Sequence, residues 1–298
     1  MTESVVIGAG ATGVATARQL ADSGQRVRLI TRSGSGPDRP GIEPIALDAG
    51  RTDELAEALT GARTVYNAAM TAYHTWPETM PPLFASILAA TERAGADYVM
   101  LGNHYGYQQT IEPLTELTPM LPTTRKGRVR AELWRQAKSA HDDGRLRVTE
   151  VRAGQYFGPG AVSAFTLLVA PRVREGELAL VHGNPDAAHS FSYTEDVAAA
   201  LVAVSADERG WGRAWHAPVI TTTVRQAATE FAELHGAPEP RLESLTERDL
   251  ALLSFTDPLW REFAEMSYQS ERPFVVDDRA IRDTFGLKPS TLREALVA

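Results

Sequence analysis

The sequence predicts an α/β fold, a doubly wound parallel sheet followed by a smaller, mostly helical C-terminal lobe. Three observations predict it. A β-branched run, Val5-Val6-Ile7, meets Gly8, Gly10 and Gly13, then a small-residue helix pattern through Val14, Ala17 and Leu20. Strand and helix patterns go on alternating for about 150 residues. The alternation then loosens, and Pro238, Pro240, Pro258, Pro273 and Pro289 break the remainder into short helices. Strand, glycine turn and helix in that order make a Rossmann-type dinucleotide fingerprint. Gly8 lets the chain turn, Gly10 removes a Cβ that would block a pyrophosphate, and Gly13 lets helix and strand pack closely. With Ala11 and Thr12 they bring free N–H groups and a partial positive charge to the phosphates.

Composition bounds the rest. The 298 residues can bury a large core, and 43% apolar with 23% charged residues is ordinary for a globular chain. A net charge of −8 without a basic block argues against a nucleic-acid surface. The chain has no cysteine, so disulfides and thiolate metal sites are excluded. No charged leader with an apolar core precedes the first strand, and no apolar run approaches the roughly 20 residues that span a bilayer. The expectation is a cytoplasmic protein with no membrane partner.

In chain order, Val27 to Ile30 reads as the second strand, ending at Thr31-Arg32, and Ser33 to Gly41 as a Gly/Pro/Ser loop. Pro44 to Leu47 is the third strand, closed by Asp48. A helix follows from Asp53 to Leu59 with Thr52 as its cap, then a strand from Thr64 to Asn67. After a loop with His74 and Trp76, a helix runs from Pro82 to Ala94 and stops at Gly95. Tyr98 to Leu101 is the fifth strand. A proline-rich loop leads to a basic helix, Arg125 to His141, and the sixth strand is Arg147 to Val151. Beyond it come helices at 163–174, 194–205, 224–235, 247–253 and 258–266, a strand at 178–181, and a closing pair of helices from Asp278. Residues 1–155 are read as the nucleotide-binding domain. Residues 156–298 are mainly the substrate lobe, with 188–216 returning to the first domain.

The end of the second strand selects the cofactor. Where an NAD enzyme would place an acid for the ribose hydroxyls, Thr31 stands, and Arg32 follows. A guanidinium suits a 2′-phosphate, so NADP(H) is favoured over NAD(H); the alternative for Arg32 is a solvated loop charge. Asp48 is either an acceptor for the adenine amino group or a turn aspartate. Asn67-Ala68-Ala69 ends the fourth strand with small residues where ribose and phosphates would pass. His182, Asp186 and His189 have no spacing that enforces a metal geometry, and no metal is expected. There is no Gly-x-Ser-x-Gly elbow. Trp260, Phe263 and Met266 share a helical face and are read as packing.

Several stretches in order resemble extended or atypical short-chain dehydrogenase/reductases of the nucleotide-sugar epimerase and dehydratase type. They are Gly8–Gly13, Asn67-Ala68-Ala69, Trp76-Pro77-Glu78, Val151–Gly160, His189–Ala198 and Gly286–Pro289 with Leu292. The resemblance implies a Tyr-x-x-x-Lys pair on the helix after strand five, the tyrosine exchanging the substrate proton and the lysine holding the nicotinamide ribose. In this register Lys126 stands at the tyrosine position and Arg130 at the lysine position. They share one helix face. Arg130 can donate to a ribose but stays protonated. Lys126 could serve as an acid if desolvation and Arg130 depress its pKa. The competing reading is a basic, exposed helix that catalyses nothing.

Gly102-Asn103-His104-Tyr105-Gly106 stands where the family places a Ser or Thr. Asn103 could hold a substrate oxygen, and His104 or Tyr105 could move the proton, although a loop histidine is more often a packing residue. The nicotinamide is expected near Asn103, Lys126 and Tyr156. The reading is an NADP(H)-dependent oxidoreductase, or an enzyme that epimerises or dehydrates through a transient ketone, acting on a small carbonyl or alcohol. The alternative is a cofactor-binding sensor of the NmrA-like kind. The resemblance also implies a homodimer through the Arg125–His141 helix.

Overall fold

The computed structural model describes residues 3–257 and 259–297. The first half lays down β1 (Glu3–Ile7), α1 (Ala11–Asp22), β2 (Arg26–Thr31), β3 (Ile42–Ala46), α2 (Thr52–Ala58), β4 (Thr64–Asn67), α3 (Trp76–Ala94), β5 (Asp97–Gly102), α4 (Arg125–Asp142) and β6 (Val148–Arg152). The second half holds β7 (Tyr156–Phe157), α5 (Ala170–Arg174), β8 (Leu178–Val181), β9 (His189–Tyr193), α6 (Thr194–Ala206), β10 (Ala214–His216), β11 (Ile220–Thr222) and α7 (Val224–His235). It ends with β12 (Arg241–Ser244), α8 (Glu247–Leu253), α9 (Leu259–Met266), α10 (Arg279–Phe285) and α11 (Leu292–Val297).

Seven strands form one parallel sheet in the order β10-β6-β5-β4-β1-β2-β3. Strand order reverses beside β1, and a doubly wound sheet opens a crevice for ligands at the carboxyl ends next to such a point. Helices cover both faces. On one, Leu55 of α2, Met80 and Phe84 of α3 and Leu133 of α4 pack into a single core. On the other, Leu20 of α1, Leu201 and Val204 of α6 and Ile281 of α10 form the second. The central strands are buried on both faces, which is why β1 and β5 carry continuous apolar runs, Val5-Val6-Ile7 and Tyr98-Val99-Met100-Leu101. A third core, around Phe157, Phe165, Phe191 and Phe231, belongs to the C-terminal lobe. Its sheets are small: β11-β9-β7 and β12-β8. Among the described residues no helix is long and apolar enough to cross a membrane.

Some elements differ from the sequence reading. The helix expected from Pro82 begins at Trp76, because Pro77 sits in the first turn, where its missing N–H is free of cost. Pro81 and Pro82 then lie inside the helix, and burial of Trp76, Met80 and Phe84 along one face holds the turn they weaken. Thr52 does not cap α2; Arg51 precedes the helix without a side-chain cap, and Thr52 hydrogen-bonds Ser86 at 2.9 Å. The helix read over 163–174 is a π-helical segment, Phe165–Val169, running into α5. The helix read from Pro258 is described from Leu259; Pro258 itself lies outside the described residues. The short strands β7, β11 and β12 were not legible, being only two to four residues long.

Candidate active site

The glycine turn is built as tightly as its sequence suggests. Gly8 has φ +100° and donates its N–H to Ile30 O at 2.9 Å. A Cβ there would lie 2.7 Å from Ala68 O, and one on Gly13 would lie 2.0 Å from Gly8 O. Gly10 is different: a Cβ on it would meet nothing within 4 Å. The space over the N-terminus of α1 is therefore open. The helix ladder starts with Val14 N to Gly10 O, no side chain caps the end, and no acid stands in the first turn. The amides of Ala11, Thr12 and Gly13 are thus the donors an anion would meet. This geometry fits a pyrophosphate.

Asn67 shapes the opposite wall and does not face the open space. Its amide donates to Tyr98 OH at 2.7 Å and accepts from Ala69 N at 3.0 Å, so both ends are used in fixing Ala68-Ala69 against Gly8. Thr31 ends β2 and donates to Ser35 O at 3.2 Å, which closes the start of the following loop. Arg32 is exposed on that loop. Arg39 nearby pairs with Asp22, whereas Arg32 has no carboxylate partner among the described residues. Asp48 is exposed and accepts Gly50 N at 2.9 Å, as a turn aspartate does.

Past the carboxyl ends of β4, β5 and β6 lies a cavity of about 450 Å³, roofed by the C-terminal lobe. Asn103, His104, Tyr105, Arg130 and Tyr156 all line it. Asn103 accepts Tyr105 N at 3.1 Å through Oδ1, capping the short turn that carries His104 and Tyr105. Tyr105 accepts a hydrogen bond from Tyr73 OH at 3.2 Å. Burial raises the pKa of both phenols and of Tyr156, while the charge of Arg130 lowers those of Tyr105 and Tyr156.

Arg130 is 2% exposed, and its guanidinium lies over Trp76 at 4.7 Å. It donates to Leu101 O at 3.3 Å, and its Nε has no partner among the described residues. Desolvation lowers its pKa from the usual value. His104 is buried with Nε2 unpartnered; desolvation, then His216 and Arg152, push its pKa well below that of a free histidine. It is therefore a neutral imidazole at neutral pH. Beneath it Glu150 and Arg152 form a buried ion pair at 2.6 Å, and Arg152 stacks on Tyr107.

Lys126 is placed differently from the expectation that it sits beside the nicotinamide. It does not line the cavity. It is 1% exposed, its ammonium pairs with Glu262 and, at 2.8 Å, with Glu265, and it lies over the Tyr73 ring at 4.6 Å. Glu265 also accepts the backbone N–H of Lys126 at 3.0 Å. Both acids belong to α9, whose Leu259, Phe263 and Met266 line the cavity roof. Phe263 and Met266, read as packing, are thus cavity walls as well. No local pattern marked Glu262 and Glu265 as partners of a residue 136 and 139 positions earlier. His182, Asp186 and His189 diverge: His182 bonds Ser267 and Ser270, and Asp186 pairs with Arg225.

A family model described as the NAD dependent epimerase/dehydratase family matches residues 4–215. The chain belongs to the NAD dependent epimerase/dehydratase family. It is accordingly an NAD(P)-dependent enzyme with a nicotinamide dinucleotide as its cofactor. Known structures share the fold. UDP-glucose 4-epimerase from Thermotoga maritima is 17% identical with a TM-score of 0.79, covering 99% of this chain and 96% of that one. The dTDP-glucose 4,6-dehydratase DesIV from Streptomyces venezuelae is 18% identical at a TM-score of 0.78, covering 99% and 95%. UDP-glucuronic acid 4-epimerase from Bacillus cereus, solved with NAD, is 15% identical at 0.79, covering 100% and 97%. No protein among the curated ones matches the chain in sequence. Against the family's Tyr-x-x-x-Lys pattern, Lys126 and Arg130 differ from each other in kind. Arg130 remains in the cavity as a buried cation, whereas Lys126 has turned to the roof helix.

Proposed function

We propose that the chain is an NADP(H)-dependent oxidoreductase of this family acting on a small carbonyl or alcohol, with Tyr105 in place of Lys126 as the group that handles the proton. The observation that carries this reading is the cluster of Arg130, Tyr105 and Tyr73 at the inner end of the cavity, beside the carboxyl ends of β4 and β5. Gly8, Gly10 and Gly13 with the N-terminus of α1 would hold the phosphates, Arg32 the 2′-phosphate, and Arg130 and Tyr156 the nicotinamide end. When bound, the nicotinamide gives a hydride to a carbon of the substrate or takes one from it.

The chain's residues supply the rest. Tyr105 accepts from Tyr73, so its own O–H is free to point at a substrate oxygen. Burial keeps that phenol protonated at neutral pH, the form that donates to a carbonyl being reduced. Arg130 cannot relay a proton, but its fixed charge stabilises an oxyanion on the substrate or on Tyr105. Neutral His104 and the amide of Asn103 offer further contacts to oxygen. Epimerisation or dehydration through a transient ketone uses the same groups, and a homodimer through α4 is the assembly this reading retains.

The test is a fluorescence titration with NADPH and NADH, followed by NADPH oxidation across a panel of carbonyl compounds. Tyr105→Phe is expected to lower kcat by about 100-fold with NADPH affinity unchanged. NADPH binding without turnover of any carbonyl compound would favour a cofactor sensor, and Tyr105→Phe turning over like wild type would remove the phenol from the mechanism.

A further inference from the structure

Charge is scarce around the cavity. Among the described residues that line it, Arg130 is the one permanent cation and there is no carboxylate. Arg130 lies beside the carboxyl end of β5, stacked on Trp76. The two lining histidines are both held neutral at pH 7 by burial, His182 with its pKa lowered to about 4. The rest of the lining is uncharged and mixes neutral polar groups with a broad apolar wall that includes Val162, Leu167, Leu259, Phe263, Met266 and Phe274. The helix start that borders the cavity uses part of its donors within itself. Ser163 N donates to Thr166 Oγ1 at 3.0 Å and Thr166 N to Ser163 Oγ at 3.2 Å, which caps that end from within.

A nucleoside diphosphate ester brings two negative charges that must be met by cations or free amides when they leave water. Beyond Arg130, the described residues that line this cavity supply no permanent side-chain cation. The adjoining cavity of about 720 Å³, which shares His182, does not help, since it sets Glu247 and Glu271 against Arg261. What the first cavity does offer is three buried polar groups with atoms unpartnered among the described residues: His104 Nε2, Arg130 Nε and Gln269 Nε2. Such groups are costly to bury unless something bonds them. His104 and Arg130 stand at the inner end and Gln269 on the lobe side, so they suit oxygen atoms at separated points on an apolar body.

We infer that the substrate is an uncharged, largely apolar carbonyl or hydroxyl compound, such as an aryl ketone or its alcohol, bearing a second oxygen function towards Gln269, and that nucleoside diphosphate sugars are excluded. The inference rests on the proposal that this cavity holds the substrate of an NADP(H)-dependent enzyme. It departs from the nucleotide-linked sugars named for the structural relatives, UDP-glucose among them.

Prodan, an uncharged aryl ketone whose emission shifts to the blue in apolar surroundings, is the probe. NADPH binding is read first, from its own fluorescence; its failure refutes the cofactor reading and is seen before prodan is added. With NADPH bound, prodan should give a saturable blue shift that millimolar UDP-glucose does not reverse. Leu167→Arg, which sets a cation in the apolar wall, should weaken prodan about tenfold. Displacement of prodan by UDP-glucose, or a prodan signal that never saturates, overturns the inference while leaving cofactor binding intact.

Discussion

Replacing Lys126 with Met separates a structural tie from a catalytic acid. The side chain keeps its length and loses its charge, so Glu262 and Glu265 face a thioether and each other. Breaking a fully buried pair costs about 3–5 kcal/mol, chiefly because the partner's charge is stranded. Here the acids are 22% and 21% exposed, so water reaches them and the penalty is smaller. We expect about 2 kcal/mol, concentrated in α9 and in α8, which packs beside it. That corresponds to roughly thirtyfold faster opening of this roof.

Hydrogen exchange resolved by segment is the assay. Protection should fall over 247–266 and stay unchanged in β1, β4 and β5. Restoring neutrality with Glu262→Gln and Glu265→Gln in the same chain should recover part of the loss, since the residues couple directly. Turnover should decline through a higher KM, with the pH profile keeping its limbs. Lys126→Tyr, which puts the family's usual residue back, should not raise turnover, because the phenol would be directed at two carboxylates. The reasoning is refuted if Lys126→Met leaves exchange over 247–266 unchanged while kcat collapses and the alkaline limb of its pH profile disappears.

Three other expectations bear on the cofactor site and the buried histidines. Gly10→Ala should leave the melting temperature unchanged, since its Cβ meets nothing within 4 Å, yet abolish measurable NADPH binding; normal binding would mean that the phosphates do not pass over Gly10. Arg32→Ala should weaken NADPH about tenfold and leave NADH unaltered, because an exposed charge-assisted contact is worth roughly 1.5 kcal/mol; equal losses for both would remove Arg32 from cofactor selection. Stability should fall as pH drops from about 6.5 toward 4. His216 is lowered to about 4 by burial, as is His182, and the unfolded chain takes up these protons first. The stabilisation is full above the unfolded value near 6.5, and His216 alone contributes up to roughly 3 kcal/mol of it. Urea midpoints at pH 7.5 and 5.0 check this, and equal midpoints would contradict it.

What could be read in the chain beforehand follows from how local each cause is. The glycine turn was legible because its demands are met within a few residues: φ +100° at Gly8, and the contact of Gly13 with Gly8 O. The sheet was legible because buried parallel strands print continuous apolar runs between helical periods. Lys126 is the opposite case. Its register on α4 was set by a four-residue spacing to Arg130, yet its environment is set by two acids on a helix of the other lobe. Nothing in the local pattern near Lys126 states which way it turns, and the helical face it shares with Arg130 is equally consistent with both outcomes. Once the roof is placed, the choice follows from charge. A lysine beside Arg130 would bury two like charges without a carboxylate in the cavity, whereas turned toward α9 it neutralises two acids and stacks on Tyr73. The same placement leaves room at the inner end for Tyr105, bonded to Tyr73, beside the buried guanidinium. The residue that stands where the family resemblance expects a tyrosine is therefore the one that makes the charged roof contact, and on the proposed mechanism the proton is left to Tyr105.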